Sequence, residues 1–117
     1  MIYNKRRSMR LPYSGNAVIP REKLTKYLLS ETHATGKFKA RFFRSFGFNE
    51  INVDVLENSI RELSKGAISE ESVSSYGTKY AINGKIDTPI GKSIKVRTVW
   101  IIEKGQKRPR FITVYPV

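Results

Sequence analysis

Apolar positions along the chain fall into two rhythms. From Pro20 to about Gly66 they recur every three or four residues, the spacing of one helix face, and from about Ser72 they follow the spacing of strands. Pro20 suits a first helical turn, and Leu24, Tyr27 and Leu28 continue its apolar side up to Ser30. After a break at residues 31–36, Phe38, Phe42, Phe43 and Phe46 form an aromatic stripe at i, i+4, i+5 and i+8. The stripe is assigned to the core, bases including Lys39 fill the other face, and Gly47 stops the helix. Phe48 and Asn49 read as hydrophobic staple and N-cap of a third helix, in which Val53, Leu56, Ile60 and Leu63 align until Gly66.

The strand half predicts a run Val73 to Ile82, a hairpin turn at Asn83-Gly84 and a second turn at Thr88-Pro89-Ile90-Gly91. Ile94 to Glu103, Gly105, and a last strand from Phe111 to Tyr115 follow. Simple alternation puts Phe111, Thr113 and Tyr115 on one face of that strand and Ile112 and Val114 on the other. The first set would make a floor for a nucleotide. Arg97 falls mid-strand, where an unpartnered buried guanidinium would be costly, and its neighbour Trp100 reads as core. A block of helices followed by a block of strands predicts an α+β fold: two or three N-terminal helices packed on a C-terminal antiparallel sheet of about four strands. With 117 residues and no repeat or linker, residues 11–117 read as one domain, preceded by a flexible basic arm at 1–10.

Charge sharpens this outline. Twenty-two Lys and Arg face ten Asp and Glu, a formal net charge of +12, and the sequence pI is near 10.2. The excess is clustered: Lys5, Arg6, Arg7 and Arg10; Lys37, Lys39, Arg41 and Arg44; and seven bases from Lys92 to Arg110 beside only Glu103. Such clustering points to a polyanion rather than to a merely solubilising surface. Lys37, Arg41, Arg44, Lys95 and Arg110 are the candidate RNA-binding residues. No apolar run approaches the ~20 residues of a membrane span, and the basic start lacks the apolar segment of a secretory signal. A soluble, cytoplasmic protein is expected.

Candidate chemistry narrows further. The absence of cysteine and the single His exclude thiol chemistry, disulfide scaffolds and zinc ribbons. No D-x-D, H-E-x-x-H, Walker or G-x-S-x-G motif is present, so no metal and no cofactor is expected. RNA cleavage without metal stays open, because RNA carries its own nucleophile. Attack of the 2′-OH on the adjacent phosphorus needs only a base, an acid for the leaving 5′-oxygen, and cations around the phosphorane.

Three stretches bear a family resemblance. Lys23-Leu24-Thr25-Lys26-Tyr27-Leu28-Leu29, His33-Ala34-Thr35-Gly36-Lys37-Phe38-Lys39-Ala40-Arg41-Phe42-Phe43 and Phe46-Gly47-Phe48 resemble the opening of a family of small bacterial domains of unassigned function. Tyr76 to Tyr80, Val96 to Ile102 and Pro109 to Pro116 resemble its close, so the likeness spans about residues 11–116. That family is similar to the toxic ends of contact-dependent and polymorphic toxins, in the barnase–EndoU–colicin–RelE superfamily of metal-independent ribonucleases. The resemblance implies N-terminal helices on a four-stranded antiparallel sheet and an endoribonuclease leaving a 2′,3′-cyclic phosphate. It implies His33 as acid/base group, Lys39 and Arg97 as charge stabilisers, and Thr113 with Tyr115 orienting the phosphate or the 2′-OH. RNA (tRNA, mRNA or rRNA) and an acidic antitoxin or immunity protein are the implied partners. Superfamily sites use Glu/His or His/His pairs, whereas this chain has one His, so Lys or Tyr would have to handle the second proton. A non-catalytic nucleic-acid-binding module and a protein-interaction adaptor are the alternatives. A helix-turn-helix fits poorly, because the break at residues 31–36 exceeds a three- or four-residue turn.

Overall fold

The computed structural model describes residues 9–28 and 37–117, without the side chains of Tyr27, Leu28 and Lys37. A short 3₁₀ turn, Ser14–Asn16, precedes three helices: α1 (Lys23–Leu28), wound as a π-helix, α2 (Lys37–Ser45) and α3 (Val53–Leu63). Four strands follow, β1 (Glu70–Ser74), β2 (Gly77–Asp87), β3 (Ser93–Glu103) and β4 (Arg110–Pro116). They form one antiparallel sheet in chain order, with the helices packed on it and Leu63 of α3 set against Gly84, so the expected α+β architecture is present. Residues 1–8 of the expected arm at 1–10, the end of helix one and the break at 31–36 lie outside the described residues. Met9 and Arg10 are tied to the body: Ile68 N–H donates to the Met9 carbonyl at 3.1 Å and Arg10 bridges Ala67.

The sheet's inner face is written by alternation. Tyr80, Ile82 and Ile86 of β2 and Ile94, Val96, Thr98 and Trp100 of β3 are buried, with Leu24, Phe43, Phe48, Leu56 and Ile60 from the helical half above them. Trp100 stacks edge-on against Phe111, ring centroids 5.5 Å apart, as the core assignment anticipated. Its indole N–H donates to Thr98 Oγ1 at 2.9 Å, and that hydroxyl donates to the Ile82 carbonyl at 3.1 Å, so the indole donor is not stranded in the core.

Four expectations are corrected. Asn83-Gly84 is not a turn: both residues lie inside β2, and the chain reverses at Ser75-Tyr76 instead, while the expected second turn is present at Thr88–Lys92. Gly84 is where α3 sits on the sheet, since a Cβ there would stand 2.2 Å from Leu63 Cδ2. In β4 a bulge pairs Val99 with Thr113 but Trp100 with Phe111, leaving Ile112 as the extra residue. Phe111 therefore turns into the core, and the proposed floor loses its phenyl ring. Phe38 is 76% exposed. On a helical wheel it lies ~140° from Phe43, which with Ala40 marks the buried line of α2. Finally α3 starts at Val53, not directly after Asn49; Asn49 Oδ1 accepts from the N–H groups of Ile51 (2.8 Å) and Asn52 (3.1 Å), capping the turn that leads in.

Candidate functional site

The second face of the sheet, where Ala81 and Ile101 are buried while Lys85 and Lys95 reach solvent, is where the chemistry collects. Register fixes its rows: Lys85 faces Lys95, Asn83 faces Arg97 and Tyr115, Ala81 faces Val99 and Thr113, and Lys79 faces Ile101 and Arg110. Because the bulge precedes Thr113, Thr113 and Tyr115 stay on this face although Phe111 has left it.

Arg97 is partnered. Its Nε donates to Asn83 Oδ1 at 2.8 Å and its Nη1 lies 3.5 Å from Glu70 Oε1, with the side chain 26% exposed. The guanidinium is thus fixed from two sides without being removed from water, which resolves the cost anticipated for a buried mid-strand Arg. Tyr115 stands directly across from it, and Thr113 is its diagonal neighbour, ~7–8 Å away between backbones.

Lys39 joins the row from the helical side. It lies one turn before Phe43, ~40° from that buried residue on the wheel, so it points inward and is half-buried. It does not lie on the solvated face of α2 where the charge pattern put it. Its Nζ donates to Thr113 Oγ1 at 2.7 Å, tying α2 to β4 at a distance of 74 positions in the chain. Beside this row, Glu70, Lys79, Ala81, Arg97, Val99 and Tyr115 line a hollow of about 180 Å³, room for one planar ring rather than for a whole nucleotide. The neighbouring Tyr80 phenol is pushed above its ordinary pKa by burial, with the Glu71 carboxylate adding and the Thr78 hydroxyl opposing.

The structure therefore gathers Lys39, Arg97, Thr113 and Tyr115 into one contiguous set. His33 lies outside the described residues, as does the Lys37 side chain. Of the expected RNA-binding residues, Lys95 stands on the open face next to Arg97. Arg110 is ion-paired with Glu103 at 3.1 Å, Arg44 is bonded to Glu50, and Arg41 is exposed on α2. Sequence reasoning missed Asn83 and Glu70, the two residues that hold Arg97. The available signal was the alternation Tyr80, Ile82, Ile86, which runs straight through the Asn-Gly pair. Among the described residues, no three His, Asp or Glu side chains gather where a metal ion would sit, and no helix is long and apolar enough to cross a membrane.

Comparison with known proteins shows a family and a similar fold. Residues 10–117 match the model of a family described as a domain of unknown function (DUF6883). Among solved structures, the chain is similar to one chain of a contact-dependent growth inhibition toxin–immunity protein complex from Klebsiella pneumoniae 342. The TM-score is 0.69 at 21% sequence identity, covering 86% of this chain and 99% of that one, a likeness of fold. No protein of curated function matches.

Proposed function

The chain belongs to the DUF6883 family of domains, and from that starting point we propose that it is the toxin of a toxin–immunity pair and cuts RNA without a metal ion. The observation that carries the proposal is the contact of Lys39 Nζ with Thr113 Oγ1, on the strand that also sets Tyr115 opposite Arg97. It supplies, at one point of an open face, an ammonium, a fixed guanidinium and two hydroxyls. These are the groups that a phosphorane with two developing negative charges requires.

The structural neighbour comes from a complex of a toxin and its immunity protein, and charge favours the toxin reading here. A net charge of +12 suits the partner that grips a polyanion. The blocker of such a protein gains speed and affinity from the opposite sign, so an acidic immunity protein is the expected partner. The RNase reading agrees with the barnase–EndoU–colicin–RelE resemblance in the sequence. In it Arg97 and Lys39 hold the non-bridging oxygens, Thr113 and Tyr115 orient the phosphate or the 2′-OH, and His33 exchanges a proton. Asn83 and Glu70 act through Arg97 and are positioning residues.

Incubation of the purified protein with total tRNA and rRNA in EDTA tests the proposal. Fragments are expected. Intact RNA with a retained gel shift would favour a binding module, and neither result would favour an adaptor. Lys39→Met keeps the apolar stem of the side chain, and Arg97→Gln keeps a polar one. Each is expected to lower the cleavage rate by ~10²–10³-fold with the urea midpoint unchanged, and His33→Ala by ~10²–10⁴-fold.

A further inference from the structure

On the open face the row next to Asn83, Arg97 and Tyr115 holds two lysines. Lys85 of β2 and Lys95 of β3 are direct cross-strand partners and both are exposed, which sets their Cβ atoms ~5 Å apart. Like charges directly opposite one another weaken strand pairing. Asp87, in the adjoining row, accepts from Ser93 Oγ at 2.7 Å, and among the described residues neither lysine forms an ion pair. Six other cations, Arg21, Arg44, Arg61, Lys65, Arg97 and Arg110, are each set against a carboxylate; Lys85 and Lys95 instead face each other directly across the strands. The Lys85–Lys95 row stands out as a repulsive contact kept in place beside the candidate site.

We infer that the Lys85–Lys95 row is a phosphate-binding subsite, taking the phosphodiester adjacent to the one held at Arg97 in single-stranded RNA. The inference rests on the nucleic-acid reading above and adds Lys85, which neither charge clustering nor resemblance singled out. A phosphate between two ammonium groups turns their repulsion into two charge-assisted contacts. Spacing fits: Arg97 is two residues along β3 from Lys95, a rise of ~6.6 Å. An unstacked strand spreads its phosphates beyond the ~3.4 Å per nucleotide of a stacked helix, so consecutive phosphates can meet consecutive rows. One ion cannot serve both rows, so the ligand is a chain of phosphates and not a mononucleotide.

A residue kept for binding at the expense of the fold gives opposite signs in two measurements. Lys85→Glu replaces the repulsion with an opposite-charge pair, so the urea midpoint is expected to rise. Binding of a fluorescein-labelled single-stranded RNA is expected to weaken, and the slope of log affinity against log salt to become shallower by at least ~0.7, one released counterion. Lys85→Thr, which removes the charge and keeps a good strand former, gives a second variant with a slope shallower by ~0.7. Lys65→Glu makes the same change in net charge beyond the end of α3, where Lys65 pairs with Glu62 at 3.4 Å. It is expected to lower the midpoint and leave the slope alone. A wild-type slope in both Lys85 variants overturns the subsite. Because the readout is binding, a protein that binds RNA without cutting it still tests the subsite. A flat salt response in the wild type instead overturns the nucleic-acid reading and the subsite with it.

Discussion

Tyr80 shows how a single side chain of this molecule couples the fold to pH. Its phenol is buried on the inner face, with the Glu71 carboxylate adding to the cost of ionising it. The folded chain therefore keeps a proton that the unfolded chain releases near pH 10. Wherever the folded state binds the extra proton, stability falls as pH rises. Below pH 10 the contribution is complete, and it is lost as pH climbs towards the raised folded value. Urea midpoints between neutral and strongly alkaline pH are expected to fall faster for the wild type than for Tyr80→Phe. Parallel decline of the two proteins would remove the phenol from the account. At this same scale the sequence was informative about identity and poor about surroundings. Arg97, Thr113 and Tyr115 could be named from their places in strands, and Trp100 as core from its apolar neighbours. The partner of Lys39 could not, because Thr113 lies 74 positions away and only the packing of α2 brings the two together.

Elements were legible where one period dominates and misread where two signals compete. The helical stripe of α3 and the alternation of β3 each bury one consistent side, so both were found. Asn83-Gly84 has the composition of a tight turn, yet the chain passes straight through it. The reason is tertiary: Gly84 leaves space for Leu63, and Asn83 holds Arg97. The bulge in β4 is invisible to any fixed period, since one extra residue reverses the faces beyond it. The packing explanation for Gly84 has a direct test. Gly84→Ala is expected to cost ~1–3 kcal/mol by overpacking against Leu63, and the cost should shrink in a Leu63→Ala background, as judged by a double-mutant cycle in urea. Equal costs in both backgrounds would mean that Leu63 is not what the glycine accommodates.

Across the whole molecule, the organisation is a division of charge. The carboxylates Glu50, Asp54, Glu57 and Glu62 lie on or before α3 and take up Arg21, Arg44, Arg61 and Lys65. The outer sheet face sets Lys79, Lys85, Lys95, Arg97 and Arg110 against Glu70, Asp87 and Glu103, and the turn after β3 adds Lys104, Lys107 and Arg108. Surface pairs of this kind contribute little to stability, so their arrangement matters more for where the positive potential remains. Among the described residues, the outer sheet face keeps an excess of cations beside Thr113 and Tyr115, where Lys39 also reaches. The family likeness and the fold were legible at this scale because they depend on spaced motifs and on the order of elements. The decisive measurement is mass spectrometry of the ends of RNA fragments produced in EDTA. 2′,3′-Cyclic phosphate and 5′-hydroxyl termini are expected, formed ~10²–10³-fold more slowly with Lys39→Met and Arg97→Gln. Fragments ending in 3′-hydroxyl and 5′-phosphate, or fragments formed only when a divalent ion is added, would contradict metal-free cleavage by the 2′-OH.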